Sequence, residues 1–268
     1  MFFNFKGYLL ASDLDGTLLC TDRSISTENL DAIQAFKDRG GLFTIATGRS
    51  IASSRKFVKE LPINAPLILF NGAMIYDFRT CEILSEHKLP KEAAALLSEV
   101  MGKFSQLSAE IYNSDRNFVI NENSHMTEHL KIEFGDPTYA TINELPDEYL
   151  KIMFVDSPEN IDRVQEYIES KNINGFDFVR STANYYEVLA KNVNKGSALI
   201  ELCEIVGIDK QKSMAIGDYL NDYEMVEAAG ISAVPENAHE HMKELADMVV
   251  RGNNYSAIAD FIQKAFNI

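Results

Sequence analysis

The chain has 268 residues, 46% of them hydrophobic, enough for one large domain or for a core with a second domain inserted. Its formal net charge of -15 excludes nucleic acid or an anionic membrane as the expected main partner. Cys20, Cys81 and Cys203 are odd in number, widely spaced and without a C-x-x-C pair, so they read as free thiols in a reducing compartment.

The apolar start "MFFNFKGYLL" is broken by Asn4, Lys6 and Gly7 and has no basic opening, so it reads as part of a strand rather than a signal peptide. No apolar run reaches the roughly 18 residues that a membrane span needs, and the expected location is cytoplasmic. Tyr8 to Leu14 forms the first buried strand. A helix follows, opened by Ser26 or Thr27, with Leu30, Ile33 and Phe36 on one face and Gly40-Gly41 as its stop. "LFTIA" (42–46) is a second buried strand ending in "TGRS". The helix "IASSRKFVKEL" leads to a third strand, "LILF" (67–70), closed by "NG". Short continuous apolar runs alternating with amphipathic helices predict βαβ units and a parallel sheet.

The rhythm changes after about residue 82. "AEIYNSDRNFVINE" and "FDFVRSTANYYEVLA" read as hairpins, and "KIMFVDSPENIDRVQEYIES" as a strand then a helix, an α+β insertion of roughly 100 residues. Its Tyr185-Tyr186 pair reads as core or sheet face. His125, His129 and Glu133 stand at i, i+4 and i+8, a spacing that can hold zinc on one helix face, though a polar helix is the plainer reading. The βα rhythm returns with a helix at 195–206, "SMAIG" (213–217), a helix at 221–229, "ISAV" (231–234) and a last helix near 255–265. His239 and His241, between these helices, read as surface residues. The expected fold is α/β, a Rossmann-like parallel-sheet core built from 1–82 and 186–268 with an inserted α+β cap at 83–185.

In open α/β sheets ligands bind beyond the carboxyl ends of the strands, so polar clusters there carry the functional signal. In "DLDGT", Asp13 and Asp15 are close enough to repel when both are ionised, which raises one pKa and leaves a proton available. Gly16 permits the turn and Thr17 can cap the segment after it; an ordinary acidic turn is the alternative. "ATGRS" offers Thr47 and backbone N–H groups to a phosphate oxygen, or simply a helix cap at Thr47 or Ser50. "GDYLND" sets Asp218 and Asp222 at a strand end, hard oxygen donors suited to Mg²⁺, or an unremarkable acidic turn. Lys195 opens a helix, where the macrodipole disfavours a cation, so its charge is needed elsewhere unless it is merely solvated. Together the four clusters are far more specific than any one of them.

In order and spacing, "DLDGTLL", "ATGR", "NKGSAL" and "GDYLND" resemble the four motifs of the haloacid dehalogenase superfamily. The insertion, preceded by "NGA" at 71–73, resembles its Cof-type (C2-cap) branch of sugar-phosphate phosphatases. The resemblance implies a Mg²⁺-dependent phosphatase of a small phosphorylated metabolite, a sugar phosphate or cofactor phosphate, working through an aspartyl-phosphate. Asp13 would attack phosphorus; Asp15 would protonate the leaving oxygen and then deprotonate the water. Mg²⁺ would sit on the carboxylates of Asp13 and Asp218 and the backbone carbonyl of Asp15. Thr47, Gly48, Lys195, Asn221 and the backbone around Leu14 would hold phosphoryl oxygens, with Asp222 in support. Arg49, Asn71, Asn113, Arg116 and Arg180 are candidate substrate contacts. Two departures from the family pattern, Val234-Pro235 in "SAVPENA" and the missing acidic-glycine pair in "VVRGNNYSAIADFI", bear on loop contacts near Asn237. A phosphomutase is the close rival. A non-catalytic phospho-receiver is a distant one, since receivers lack the insertion and the adjacent acid pair.

Overall fold

The computed structural model describes residues 4–132 and 137–268. They form two compact units. One runs to Gly48 and takes in Ser54–Ser85 and Asn194–Ile268; the other comprises Glu86–Val193 with Arg49–Ser53.

The first unit is built on five parallel strands in the order Met248–Val250, Ile231–Pro235, Ser213–Ile216, Leu9–Ser12, Leu42–Ile45. Leu9, Leu10, Ala11 and Ser12 are wholly buried, which is why this strand reads as a continuous apolar run rather than an alternating one. Pairing of Ser12 with both Ile216 and Ile45 brings the carboxyl ends of three strands level. The residues just beyond those ends carry the site.

The helix Thr27–Asp38 is capped by Ser26, whose hydroxyl accepts the Asn29 N–H at 3.1 Å. It buries Ile33 and Phe36 as expected, but its third buried residue is Asn29 rather than Leu30, because the Asn29 carbonyl oxygen accepts the Ala259 N–H of the last helix at 3.0 Å. That last helix spans Ala257–Phe266. The three thiols are free, and among the described residues no helix is long and apolar enough to cross a membrane.

The second unit is a six-stranded sheet in the order Phe176–Thr182, Tyr185–Ala190, Lys151–Val155, Ser108–Tyr112, Asn117–Ile120, Thr138–Tyr139. One face is apolar: Ala109, Ile111, Ile152, Phe154, Tyr186 and Val188 join Leu96, Leu97, Val100, Ile161, Val164 and Ile168, from the helices Ala93–Lys103 and Pro158–Glu169, in one core. The expected seam at 185/186 falls instead at Val193/Asn194. Tyr185–Ala190 pairs antiparallel on both sides within this sheet, so it cannot belong to the parallel one.

The other face holds buried charge. Glu110 Oε2 meets His129 Nε2 at 2.8 Å and accepts the Tyr112 hydroxyl at 2.6 Å, while Lys151 pairs with Glu187 at 2.9 Å. Burial pushes the Glu110 carboxyl up, but His129 and Tyr112 hold it below its usual range. His129 turns its other nitrogen to the Tyr185 hydroxyl at 3.2 Å, and His125 lies 3.4 Å from Asn184 Nδ2. Both histidines are engaged within the unit, and Glu133 lies outside the described residues. Tyr186 is in the core, stacked on Phe178, while Tyr185 stands on the polar face.

Candidate active site

Asp13 directly follows the strand Leu9–Ser12, its N–H still bonded to the Ile216 carbonyl at 2.9 Å. Its carboxylate is buried and accepts Lys195 Nζ at 2.6 Å. Lys195 is completely buried at the start of the helix Lys195–Val206, and the same Nζ reaches Asp222 Oδ1 at 2.7 Å. The cation placed against the macrodipole therefore serves two carboxylates from different loops. Burial alone would pull its pKa down, but Asp13 and Asp222 raise it well above the ordinary lysine value.

Asp218 is held by Thr17, whose hydroxyl donates to Oδ1 at 2.8 Å. The approach is close: Gly16 sits at φ +88°, and a Cβ there would come within 2.4 Å of the Asp218 carboxylate. Only glycine meets both demands. Asp222 folds its own loop, its Oδ2 accepting the N–H groups of Asp218 and Tyr219 at 3.0 and 3.3 Å. With Oδ1 on Lys195 and Oδ2 on the backbone, Asp222 organises the site from behind.

Oxygens of Asp13, Asp218 and Asp222 lie within 4.8 Å of one another. Against these three carboxylates stands one lysine. Burial pushes Asp13 well above the ordinary aspartate range, with Asp222 and Asp218 adding to the rise against Lys195. Burial and Asp222 push Asp218 up to about 7. A hard divalent cation fits this donor set, since it supplies positive charge where burial and mutual repulsion disfavour the ionised forms of Asp13 and Asp218.

The remaining expected residues are spread around this cluster. Leu14 is buried, and its carbonyl accepts the N–H groups of Leu18 and Leu19 at 3.1 and 2.9 Å, so the chain turns tightly after the strand. Asp15, on that turn, is exposed. Thr47 is buried beside the third strand, its N–H bonded to the Ile68 carbonyl. Asn71 is buried at φ 55° and receives the Asn221 side-chain N–H at 3.3 Å, and a Cβ on Gly48 would approach its amide to 3.1 Å. Asn71 thus links the "TGR" and "GDYLND" loops. Arg49 is buried and falls with the second unit. Arg180, expected as a substrate contact, lies against the helix Pro158–Glu169, paired with Asp162 at 3.0 Å and bonded to Gln165 at 3.2 Å. Asn113 closes its hairpin turn, accepting the N–H groups of Asp115 and Arg116 at 2.9 Å each. Sequence reasoning missed the role of His239, whose backbone N–H donates to the Asp218 carbonyl at 2.9 Å while its ring lies edge-on to Tyr219. A backbone contact leaves no signal in residue types.

Residues 10–262 match the family model for haloacid dehalogenase-like hydrolases. The chain belongs to this family. A Streptococcus pyogenes protein provisionally termed a phosphatase is 31% identical to this hydrolase, over 96% of this chain and 97% of that one. The 5-amino-6-(5-phospho-D-ribitylamino)uracil phosphatase YitU of Bacillus subtilis is 25% identical, over 98% and 99%. A solved haloacid dehalogenase-like hydrolase of Bacteroides thetaiotaomicron superposes with a TM-score of 0.84 at 24% identity, covering 97% of this chain and all of that one, and shares its fold.

The raised carboxyls give this hydrolase a pH signature when it is stripped of metal. Between the ordinary aspartate value of 3.8 and about 7 the folded state holds the Asp218 proton more tightly than the unfolded state. Stability therefore falls as pH rises through that window. The Glu110 and Asp260 carboxyls are lowered, so they do not share this rise. In EDTA, Tm is expected to be lower at pH 8 than at pH 5.5, and the gain from millimolar Mg²⁺ to be larger at pH 8, where the cation meets no competing proton. A gain from Mg²⁺ equal at both pH values would refute the cation site.

Proposed function

We propose that this hydrolase is a Mg²⁺-dependent phosphatase that removes phosphate from a small phosphorylated metabolite, a sugar phosphate or a cofactor phosphate, through phosphoryl-Asp13. One observation carries the reading: the Asp13 carboxylate stands at a strand end, bonded to a fully buried lysine and grouped with Asp218 and Asp222. The ribityl phosphate in the name of the Bacillus relative supports a small substrate.

Asp13 supplies the carboxylate oxygen that bonds to phosphorus as the bond to the leaving oxygen breaks. Asp15 gives that oxygen a proton, then takes one from the water that cleaves the acyl phosphate. Lys195, Thr47, Gly48, Asn221 and the backbone at Leu14 hold phosphoryl oxygens in place. Held by the Asp13 and Asp218 carboxylates and the Asp15 carbonyl, Mg²⁺ would offset the charge of dianion and carboxylates that Lys195 alone cannot balance. Asp222 keeps Lys195 and the Asp218 loop in position. We assign the second unit the role of a cap that sets specificity, with Arg49 and Asn71 as substrate contacts. The composition and free thiols support action on a free metabolite in the cytoplasm.

Hydrolysis of p-nitrophenyl phosphate with Mg²⁺ tests the class: release of phosphate that EDTA abolishes is the expected result. Absence of turnover would leave a phospho-receiver. With a hexose monophosphate, isomer formation without free phosphate would make the enzyme a mutase.

A further inference from the structure

The strand Leu67–Leu69 runs into the antiparallel strand Met74–Asp77 through the four residues 70–73. This connection closes on a hydrogen bond from the Ala73 N–H to the Phe70 carbonyl at 3.2 Å, with Asn71 at φ 55° and Gly72 at φ +102° between them. Asn-Gly is the pair that a hairpin with left-handed central residues selects on backbone grounds alone. That demand is met whether or not the Asn side chain is buried, and this one is 1% exposed.

The connection lies against three of the four motif loops. The Asn71 N–H donates to the Thr47 carbonyl at 3.0 Å, and a Cβ on Gly48 would lie 3.1 Å from both polar atoms of the Asn71 amide. Gly72 packs on the residue before Lys195: a Cβ there would come within 2.2 Å of the Asn194 carbonyl oxygen. Asn71 Oδ1 accepts an Nδ2–H of Asn221 at 3.3 Å, the one hydrogen bond that the Asn221 side chain makes among the described residues. Thr47, Gly48, Lys195 and Asn221 are the groups proposed to hold phosphoryl oxygens.

Asn221 is half-buried, and its amide has a donor end and an acceptor end. Turned by 180° about its last bond, it would present a carbonyl oxygen where an oxyanion needs an N–H. It would also set two carbonyl oxygens, its own and that of Asn71, against each other. By accepting one Nδ2 hydrogen, Asn71 holds the nitrogen end in place and leaves the second hydrogen for an oxyanion.

We propose that Asn71 is a positioning residue for the phosphoryl site, orienting the Asn221 amide so that its second Nδ2–H faces a phosphoryl oxygen. The inference rests on the reading of Asn221 as holder of that oxygen. It is a task apart from any contact between Asn71 and the rest of the substrate.

The test measures inhibition of p-nitrophenyl phosphate hydrolysis by inorganic phosphate in millimolar Mg²⁺. Inorganic phosphate has no leaving group, so its Ki reports the phosphoryl site alone. The proteins are the wild type, Asn71→Gly, Asn71→Ala, Asn221→Ala and the double variant Asn71→Gly/Asn221→Ala. Glycine accepts the left-handed backbone and removes the amide; alanine removes the same amide without loosening the connection, at some cost in Tm. Ki is expected to rise ~3- to 10-fold in both Asn71 variants, and ~10-fold or more in Asn221→Ala, which loses a hydrogen bond to a charged group. With Asn221 gone, Asn71→Gly should raise Ki by no more than ~2-fold further, because its effect runs through that side chain. A larger further rise would mean that Asn71 acts by another route. An unchanged Ki in either Asn71 variant would mean that the amide is not what matters. Each of these results would overturn the positioning role alone. An unchanged Ki in Asn221→Ala would overturn the assignment of Asn221 and the inference with it.

Discussion

If Asp13 is the proposed covalent nucleophile, Asp13→Asn is expected to lower kcat on p-nitrophenyl phosphate by roughly 10⁴-fold or more, since its loss would remove the reaction path itself. The amide keeps the shape of the carboxylate and loses its charge. Lys195 still has Asp222 as partner at 2.7 Å, so no buried charge is stranded. Because burial disfavours the ionised Asp13, the metal-free variant should match or exceed the wild-type Tm. Its stabilisation by Mg²⁺ should fall, because one carboxylate of the donor set is gone. The combination is diagnostic: a well-folded protein, little turnover and a weakened response to metal. Turnover within ten-fold of wild type would remove Asp13 from the role of nucleophile.

The sequence carried the core well because its strands are buried on both faces. "YLLASD", "LFTIA" and "SMAIG" have no solvent face to interrupt them, and each ends in the polar cluster that the sheet brings together. The lysine was legible for the same kind of reason, a charge in a locally unfavourable place. Pairing across long separations could not be read. Tyr185–Ala190 has the same β-rich composition whichever sheet it joins, and only its register with Lys151–Val155 and Phe176–Thr182 assigns it. Arg180 looked available as a cation in a cap hairpin, but the strand's alternation turns it toward Asp162. Asn237 sits in a stretch that departs from the family pattern, yet its amide reaches the Gly16 carbonyl, because the contact needs the Asn side chain and not its neighbours.

Lys195→Met should be the most destabilising substitution in the site. The ammonium is fully buried, and its loss leaves Asp13 and Asp222 facing each other without a cation. Breaking a buried pair by removing one partner costs roughly 3–5 kcal/mol, a drop of about 10 °C in Tm for a chain of this size. Activity should fall by ~10²-fold or more, since the phosphoryl group loses a fixed positive charge. The deficit should depend on pH. In the variant the buried Asp13 carboxyl, already raised, loses the cation that opposes the rise, so stability declines as pH rises from the aspartate range toward neutrality. The wild type keeps Lys195 charged throughout, because its pKa lies above the ordinary 10.5. The Tm gap between the two proteins should therefore be wide at pH 8 and narrow at pH 5. Millimolar Mg²⁺ should close part of the gap at pH 8 by replacing some of the lost charge. A gap of the same size at both pH values would mean that packing, rather than the charge shared by Asp13 and Asp222, is what Lys195 supplies.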